Sequence, residues 1–438
     1  VALSSGSGAA SQPPASTEGY GLHRPERLWP VSPEPGPIQL EAPPANTAKA
    51  AGGALSTLLP LVGSLSMIAF AFIIHSLIYL IVIGVMVVAM VGAGLGTQLT
   101  QVRAQRRRWK GIDQRYRAHL ATCRAEAVHA AEVQRAGLEG LYPGNDRLVS
   151  LALYTEGTWE RRRSDEDFAA VRLGLGAVSA VRPVVVSQPG GAIAEPDAEL
   201  ASLADALVTE TARIDKAPVV VPLGRLGTVA VVGDAGVARD LVGAWVASLA
   251  AFHAPGELRV AGLVPDDAIS DWDWAKWLPH CRDPLGGDGF GRASRALTTD
   301  LDAFAGQVSS IARPRMEQLR RAAESSLGAP VAISAEHVVL IIDGWAPDAP
   351  VAGIRDLDAL MANAASLGVT VVVMVASGED VPTTCGARVE LAPSGLASYL
   401  ESGPGARVET AVTADRIDQE VAIDLARGFL PCTWPTGA

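Results

Sequence analysis

Residues 228–236 read Thr-Val-Ala-Val-Val-Gly-Asp-Ala-Gly, five strand-forming residues running straight into a glycine-bounded turn. The stretch Val237–Phe252 behind it has the spacing of an apolar helix. Strand, glycine turn and helix are the layout of a phosphate loop. There, glycine amides approach the phosphates, a lysine neutralises the β/γ charge and a Ser/Thr hydroxyl meets Mg²⁺. Counted from Gly233, the last three positions of G-x-x-x-x-G-K-[ST] hold Ala238, Arg239 and Asp240. The second glycine, the lysine and the hydroxyl are all missing. Asp234 and Asp240 also set carboxylates close to a triphosphate, which is repulsive unless Mg²⁺ intervenes.

A second stretch, His337-Val-Val-Leu-Ile-Ile-Asp343-Gly344, is a buried strand ending in an acid. A Walker-B strand ends in this way, its aspartate ordering Mg²⁺ and the next acid polarising water. Here the next residue is Gly344, so no catalytic acid follows, and the plainer role for Asp343 is to cap the turn. The candidate nucleotide pocket is Gly233, Asp234, Gly236, Arg239, Asp240 and Asp343, with no catalytic residue assigned. The Arg239 guanidinium leaves weak ATP–Mg²⁺ binding open, since it is a good bidentate donor to phosphate. Gly174-Leu-Gly176 is a decoy, because Pro183 follows too soon and no helix opens there.

Around these two stretches apolar runs alternate with helical patterns. Strands are expected at Phe168–Leu173, Thr228–Val232, Leu258–Leu263, His337–Ile342 and Val369–Val375. Helices are expected at Ala198–Ile214, Val237–Phe252, Leu297–Glu324, Ile354–Leu367 and Ala414–Gly428. Continuous Val/Ile/Leu strands bounded by helices indicate a mostly parallel sheet covered on both faces. Residues 144–438 thus read as one degenerate, α/β P-loop-like ATPase domain.

Towards the N-terminus the chain changes character. Residues 51–102 hold no Asp, Glu, Lys or Arg, a run long enough for two spans of roughly 20 residues each. The break falls at His75-Ser76, between Leu55–Ile73 and Leu77–Leu95, so residues 54–96 are expected to form a two-helix transmembrane hairpin. Arg24, Arg27 and Lys49 precede it, and Arg103, Arg106, Arg107, Arg108 and Lys110 follow it. The positive-inside rule puts both flanks in the cytoplasm. The second cluster also suits anionic lipid headgroups. From Thr97 to Tyr142 there is no proline, and Trp109, Ile112, Tyr116, Cys123, Ala127 and Ala130 keep helical spacing, so residues 97–143 read as a helical stalk. Residues 1–53 are rich in Pro, Ser, Ala and Gly and read as an extended cytoplasmic tail with Tyr20, Leu28 and Trp29 as its bulky points.

Composition narrows the classes. The 438 residues are 49% hydrophobic and 19% charged, too apolar for a disordered protein. Residues 1–110 hold 8 bases and 4 acids, and the remaining 28 bases and 43 acids give the rest a net −15. That balance opposes a nucleic-acid partner. Cys123, Cys281, Cys385 and Cys432 lie far apart with no histidine at zinc spacing, which reads as reduced thiols rather than a metal site.

Two strings are unusual. One is Trp159-Glu-Arg-Arg-Arg-Ser-Asp-Glu-Asp167-Phe168, and the other is Asp271-Trp-Asp-Trp-Ala-Lys-Trp277-Leu-Pro-His280. Both resemble signatures of EccC, the membrane-bound FtsK/SpoIIIE-type ATPase of type VII (ESX) secretion systems. The order of tail, two membrane helices, stalk and degenerate ATPase-like (DUF) domain is similar too, over about residues 50–430. The resemblance implies the bacterial inner membrane as location and a hetero-oligomeric complex with EccB, EccD and EccE-like subunits. It also implies secreted protein substrates, handled by ATPase domains that the matched part does not include. A membrane-anchored FtsK-type DNA translocase and a non-motor regulatory scaffold are the alternatives. Read from residues alone, Trp272, Trp274 and Trp277 cement a helix onto the sheet, and Arg161–Arg163 with Asp165, Glu166 and Asp167 form an ion-pair network.

Overall fold

A computed structural model describes residues 27, 29–45, 77–154, 157–187, 196–283, 294–325, 335–403 and 405–429. The expected first membrane helix (Leu55–Ile73), the His75-Ser76 turn, Tyr20, Leu28 and Cys432 lie outside the described residues.

In chain order, β1 (Ile38–Leu40) precedes the long helix α1 (Leu77–Leu141) and the short α2 (Asn145–Tyr154). Next come β2 (Ala170–Ser179), β3 (Val184–Val186), α3 (Ala198–Thr211) and β4 (Arg213–Pro222). They are followed by β5 (Thr228–Val232), α4 (Ala235–Phe252) and β6 (Leu258–Leu263). The short β7 (Arg282–Asp283), β8 (Ser294–Arg295) and β9 (Leu297–Thr298) lead to α5 (Leu301–Ser325). Then come β10 (His337–Asp343), α6 (Leu357–Asn363) and β11 (Val369–Val375). The antiparallel β12 (Ala387–Leu391), β13 (Leu396–Glu401) and β14 (Val408–Ala414) and the helix α7 (Gln419–Gly428) end the described chain.

These elements fall into two compact units. The first comprises Val1–Pro30, Arg135–Val178 and Asp215–Ala438, and the second Val31–Gln134 and Ser179–Ile214. The first is built on a ten-stranded sheet of order β4-β2-β14-β13-β12-β5-β11-β10-β6-β9. From β12 to β9 every pairing is parallel, while β12, β13, β14 and β2 pair antiparallel. The parallel centre follows from its sequences: every residue of β5, β10 and β11 is buried, as expected where helices cover both faces. Successive side chains alternate between faces. Val338, Leu340 and Ile342 of β10 therefore share one core with Phe304 of α5 and Leu357 and Leu360 of α6. On α4, by length and composition the one described helix apolar enough to cross a membrane, two-thirds of the residues are buried. It is a core helix packed on β11, α2 and α7.

The second unit holds a small sheet in which Ile38 pairs with Val184 and Leu40 with Val186. Cys123 and Ala127 of α1 and Ala204 and Leu207 of α3 pack with it. The proline-rich stretch expected to trail as an extended tail thus contributes a buried strand. Ile38 and Leu40 alternate onto one face, a pattern that the flanking prolines mask.

Several boundaries differ from expectation. The strand expected at Phe168–Leu173 begins at Ala170 and runs on to Ser179. The Leu297–Glu324 helix starts at Leu301, because Asp300 caps it by accepting from Asp302 N at 2.9 Å. The Ala198–Ile214 helix stops at Thr211, and the alternating residues after it enter β4. The Ile354–Leu367 helix is shorter, Leu357–Asn363. The Ala414–Gly428 helix starts at Gln419, Ala414 being the end of β14. The stalk is the continuation of one 65-residue helix that begins at Leu77.

Candidate functional site

The loops after β5 and β10 emerge at the carboxyl end of the parallel strands, where open α/β sheets bind ligands. β11 lies between them in the sheet. Gly233 leaves β5 with φ +150°, and a Cβ there would come within 2.9 Å of the Leu391 carbonyl oxygen, so the turn admits only glycine without backbone movement. Asp234 is the N-cap of α4. Its Oδ1 accepts from Gly236 N at 3.0 Å and from Val237 N at 3.2 Å. Those amides are the ones a phosphate would use at a helix N-terminus. Here the chain's own carboxylate occupies them.

Arg239 stands one helical turn further along α4, and its Nε donates to Asp343 Oδ2 at 2.7 Å. Its Nη1 lies 3.4 Å from Asp271 Oδ2. Burial works against the Arg239 charge, yet the hydrogen bond and charge of Asp343, with Asp271 and Asp267, hold its pKa above the ordinary value. Asp343 is buried and also accepts from Trp272 Nε1 at 3.0 Å. It therefore does more than cap a turn: it joins α4 to the Asp271–His280 string. Asp240 has a different environment. Its backbone oxygen accepts from Ile417 N at 3.2 Å, and burial raises its carboxyl pKa against the opposing charge of Arg416.

Of the six residues singled out from sequence, Gly233, Asp234 and Gly236 form the capped turn, and Arg239 and Asp343 form a direct pair. Asp271 and Trp272 complete that pair, and sequence reasoning had assigned Trp272 to packing alone. Trp272 and Trp274 are indeed buried, whereas Trp277 is exposed and does not join them in packing. The additional signal was Trp272's indole N–H, which needs an acceptor when buried.

The donor set does not suit Mg–nucleotide. The lysine and hydroxyl are absent, the helix-terminal amides accept no further ligand without displacing Asp234, and the guanidinium is held by Asp343. A triphosphate entering here meets Asp234, Asp271 and Asp343, with Arg239 already paired to Asp343.

The other signature string is structural in a different way. Trp159 is buried, its Nε1 donating to Ala250 O at 3.0 Å, and it stacks on Phe429. Arg161 has no exposed surface. Its Nη1 donates to Ala170 O at 2.8 Å, its Nη2 to Leu141 O at 2.5 Å, and its Nε lies 3.3 Å from Asp167 Oδ2. The expected ion-pair network exists, but its second arginine is Arg27, from far upstream.

A mixed sheet with a parallel centre, in which an acid-ended strand lies one strand away from a strand–glycine turn–helix, fits an α/β P-loop-like domain whose phosphate-loop donors are engaged by its own side chains. No protein-family model matches the chain. Curated relatives are more specific. Over 185 residues it is 33% identical to the ESX-4 secretion system protein EccC4 of Mycobacterium tuberculosis, a match covering 42% of this chain and 15% of that protein. Over 292 residues it is 30% identical to the ESX secretion system protein EccC of Thermomonospora curvata, covering 64% of this chain and 21% of that protein. Among solved structures, the cytoplasmic domain of the Thermomonospora curvata type VII secretion ATPase EccC covers 63% of this chain and 32% of that one, at 14% identity and a TM-score of 0.39. The chain is a homologue of EccC proteins of ESX secretion systems, and it spans about a fifth or less of the length of these two relatives.

Proposed function

We propose that this chain is the membrane-anchoring, stalk and degenerate nucleotide-fold part of an EccC-like motor component. In this reading it couples ATPase modules to the membrane channel of a type VII protein secretion system in the bacterial inner membrane. The observation that carries it is the homology to EccC over 64% of the chain. Its partners are then EccB, EccD and EccE-like membrane subunits, and secreted proteins reach it through the motor's other domains.

The membrane hairpin at 54–96 draws support from the fold on either side of it. Arg27 pairs with Asp167, and β1 pairs with β3, so residues before and after the apolar run meet twice. Chain segments that fold together lie on one side of a bilayer, which requires an even number of crossings between them. Ile81, Val82, Val85, Met86 and Val88 on α1 expose apolar side chains, as a lipid-facing helix does. At 1.5 Å per residue, α1 is roughly 100 Å long, enough to span a bilayer and extend well beyond it.

The nucleotide fold is proposed to be structural, without ATP turnover. The test of the whole reading is purification of the full chain, tagged, in mild detergent. Co-purification of other polytopic membrane proteins of the secretion system is expected, and a stable partner-free monomer overturns the reading. An impermeant thiol reagent applied from outside should label a cysteine placed at Ser76 and none placed at Ser16 or Ser164.

A further inference from the structure

Three carboxylates converge on one guanidinium that their own loop does not supply. Arg27 donates from Nη1 to Asp167 Oδ1 and from Nη2 to Asp167 Oδ2, both at 2.7 Å. Its Nη1 also reaches Asp165 Oδ2 at 3.0 Å, and its Nε lies 3.7 Å from Glu160 Oε1. The Arg27 side chain is only 5% exposed. Its guanidinium lies 3.9 Å over the Trp29 ring.

The loop has arginines at 161, 162 and 163, of which Arg161 and Arg163 are committed mainly elsewhere. Arg161 is spent mainly on the carbonyls of Leu141 and Ala170, and Arg163 donates to Ala335 O. Arg162 offers Asp165 its backbone N–H at 2.9 Å. Without Arg27, Asp167 would keep only the 3.3 Å contact to Arg161 and Glu160 and Asp165 would lose their contacts to the Arg27 guanidinium, and uncompensated buried charge is strongly unfavourable. The Asp167 carboxyl is held below its ordinary pKa in this setting. Burial opposes its charge, but the bond to Arg27 and the charges of Arg161 and Arg27 prevail. Beside the cluster is a cleft of about 570 Å³, lined among others by Trp29, Pro30, Leu141, Arg147, Glu160 and Phe252.

Arg27 lies ahead of the apolar run, whereas Leu141 closes the helix behind it. The path Arg27–Asp167–Arg161–Leu141 O therefore joins the two through charged hydrogen bonds at its ends and the Asp167–Arg161 ion pair between them. We infer that the acidic notch of Glu160, Asp165 and Asp167 is a docking site for an Arg-x-Trp-Pro segment, filled by the chain's own residues 27–30, and that this docked strap anchors the C-terminal end of α1 to the start of β2. Trp29 is 57% exposed, so one buried arginine carries the attachment and the strap is releasable.

Hydrogen exchange on the full chain in detergent tests this, comparing wild type with Arg27→Ala and Arg27→Lys. Arg27→Ala should speed exchange of the amides at 138–142 and 158–170 by about tenfold or more, leaving β10 and β11 unchanged. Arg27→Lys should fall between, because an ammonium lacks the bidentate fork, and it carries the test if Arg27→Ala does not fold. A synthetic peptide of residues 25–32 should restore protection to the variant, and the same peptide carrying Arg27→Ala should not. Wild-type exchange rates at 158–170 in both variants overturn the inference. So does loss of protection spread equally over β10 and β11, or equal rescue by the two peptides.

Discussion

Two arginine–aspartate clusters in the same unit use the same chemistry to opposite ends. In the first, Arg239 spans 104 residues to meet Asp343 at the mouth of a fold built for nucleotides, and its side chain keeps 19% exposure. In the second, Arg161 is wholly buried and spends most of its fork on two backbone carbonyls. Each cluster carries a tryptophan from a signature string, but Trp272 donates to the aspartate itself whereas Trp159 donates to a helix carbonyl. The difference lies in what the guanidinium satisfies. An arginine that answers a carboxylate at a site mouth replaces a ligand, while one that answers carbonyls at element ends is framework.

The comparison breaks first at Arg161, if it breaks at all. Arg161→Ala orphans the Leu141 and Ala170 carbonyls and leaves Asp167 with one fewer cation, a loss of about 3–5 kcal/mol for a buried pair. Denaturation followed by tryptophan fluorescence should show that loss or outright failure to fold. Arg161→Lys should recover little, since three divergent acceptors need the planar fork. A loss under about 1 kcal/mol would make Arg161 no more structural than a surface ion pair.

Acid should also strike the framework cluster. His253 is fully buried beside it, its Nε2 accepting from Ala169 N at 3.0 Å. His280 Nε2 donates to His253 O at 2.7 Å. Burial lowers the His280 pKa to about 4 and that of His337 to about 3, and it holds His253 well below its ordinary value, with Arg161 adding to the effect. All three are neutral in the fold, so their contribution is complete above the unfolded pKa of about 6.5. As pH falls below that value the unfolded chain takes protons that the fold refuses, and stability drops by up to about 1.4 kcal/mol per pH unit for each histidine until its folded pKa is reached. Exchange at 158–170 should therefore loosen between pH 6.5 and 4. A flat stability profile across that window would contradict the burial of these rings.

How much of this was legible follows from the range of each interaction. β5 and β11 were readable to the residue, because a strand buried on both faces is written as a nearly unbroken apolar run, and β6 was readable although Arg259 interrupts it. That Arg239 and Asp343 share one pocket followed from motif positions, as phosphate-loop and Walker-B slots face each other wherever the fold occurs, but their direct pair did not, since Asp343 reads as a turn cap and Arg239 as a donor to phosphate. β12, β13 and β14 were missed because polar residues interrupt their apolar ones, Arg388 and Glu390 in β12, Ser398 in β13 and Glu409 in β14. Arg27 was read only as a topological base. Nothing local marks a residue whose partner lies 140 positions away across the apolar run. Trp272 was legible as buried but not as a donor, since its acceptor belongs to another strand.

Asp343 gives the next effect in size. Asp343→Ala leaves the Trp272 N–H and most of the Arg239 fork without their acceptor, a cost of about 2–3 kcal/mol. Asp343→Asn keeps an acceptor for both and should cost about half as much. Phosphate release by the full chain with Mg²⁺ and saturating ATP should stay at background in wild type and in both variants. Turnover in wild type that Asp343→Ala abolishes would show that the pocket is an active enzyme site, and the contrast with Arg161 would then be one of catalysis against framework.

The smallest effect is expected at Asp234, and it sharpens the comparison most finely. If its carboxylate serves as an N-cap, what matters is an oxygen accepting from Gly236 N and Val237 N, not the charge. Serine caps about as well as aspartate, so Asp234→Ser should change stability by only a few tenths of a kcal/mol, whereas Asp234→Ala should cost about 1 kcal/mol. Asp234→Ser also removes one of the acids crowding the site mouth and supplies a hydroxyl. Arg239 nevertheless stays locked to Asp343, and Asp240 still stands where the Mg²⁺ hydroxyl belongs. Calorimetric titration of Asp234→Ser with Mg–ATP should therefore show no binding beyond wild type. Binding gained by this one change would mean that Asp234 alone keeps nucleotide out, and that the Arg239–Asp343 pair opens whenever a phosphate arrives.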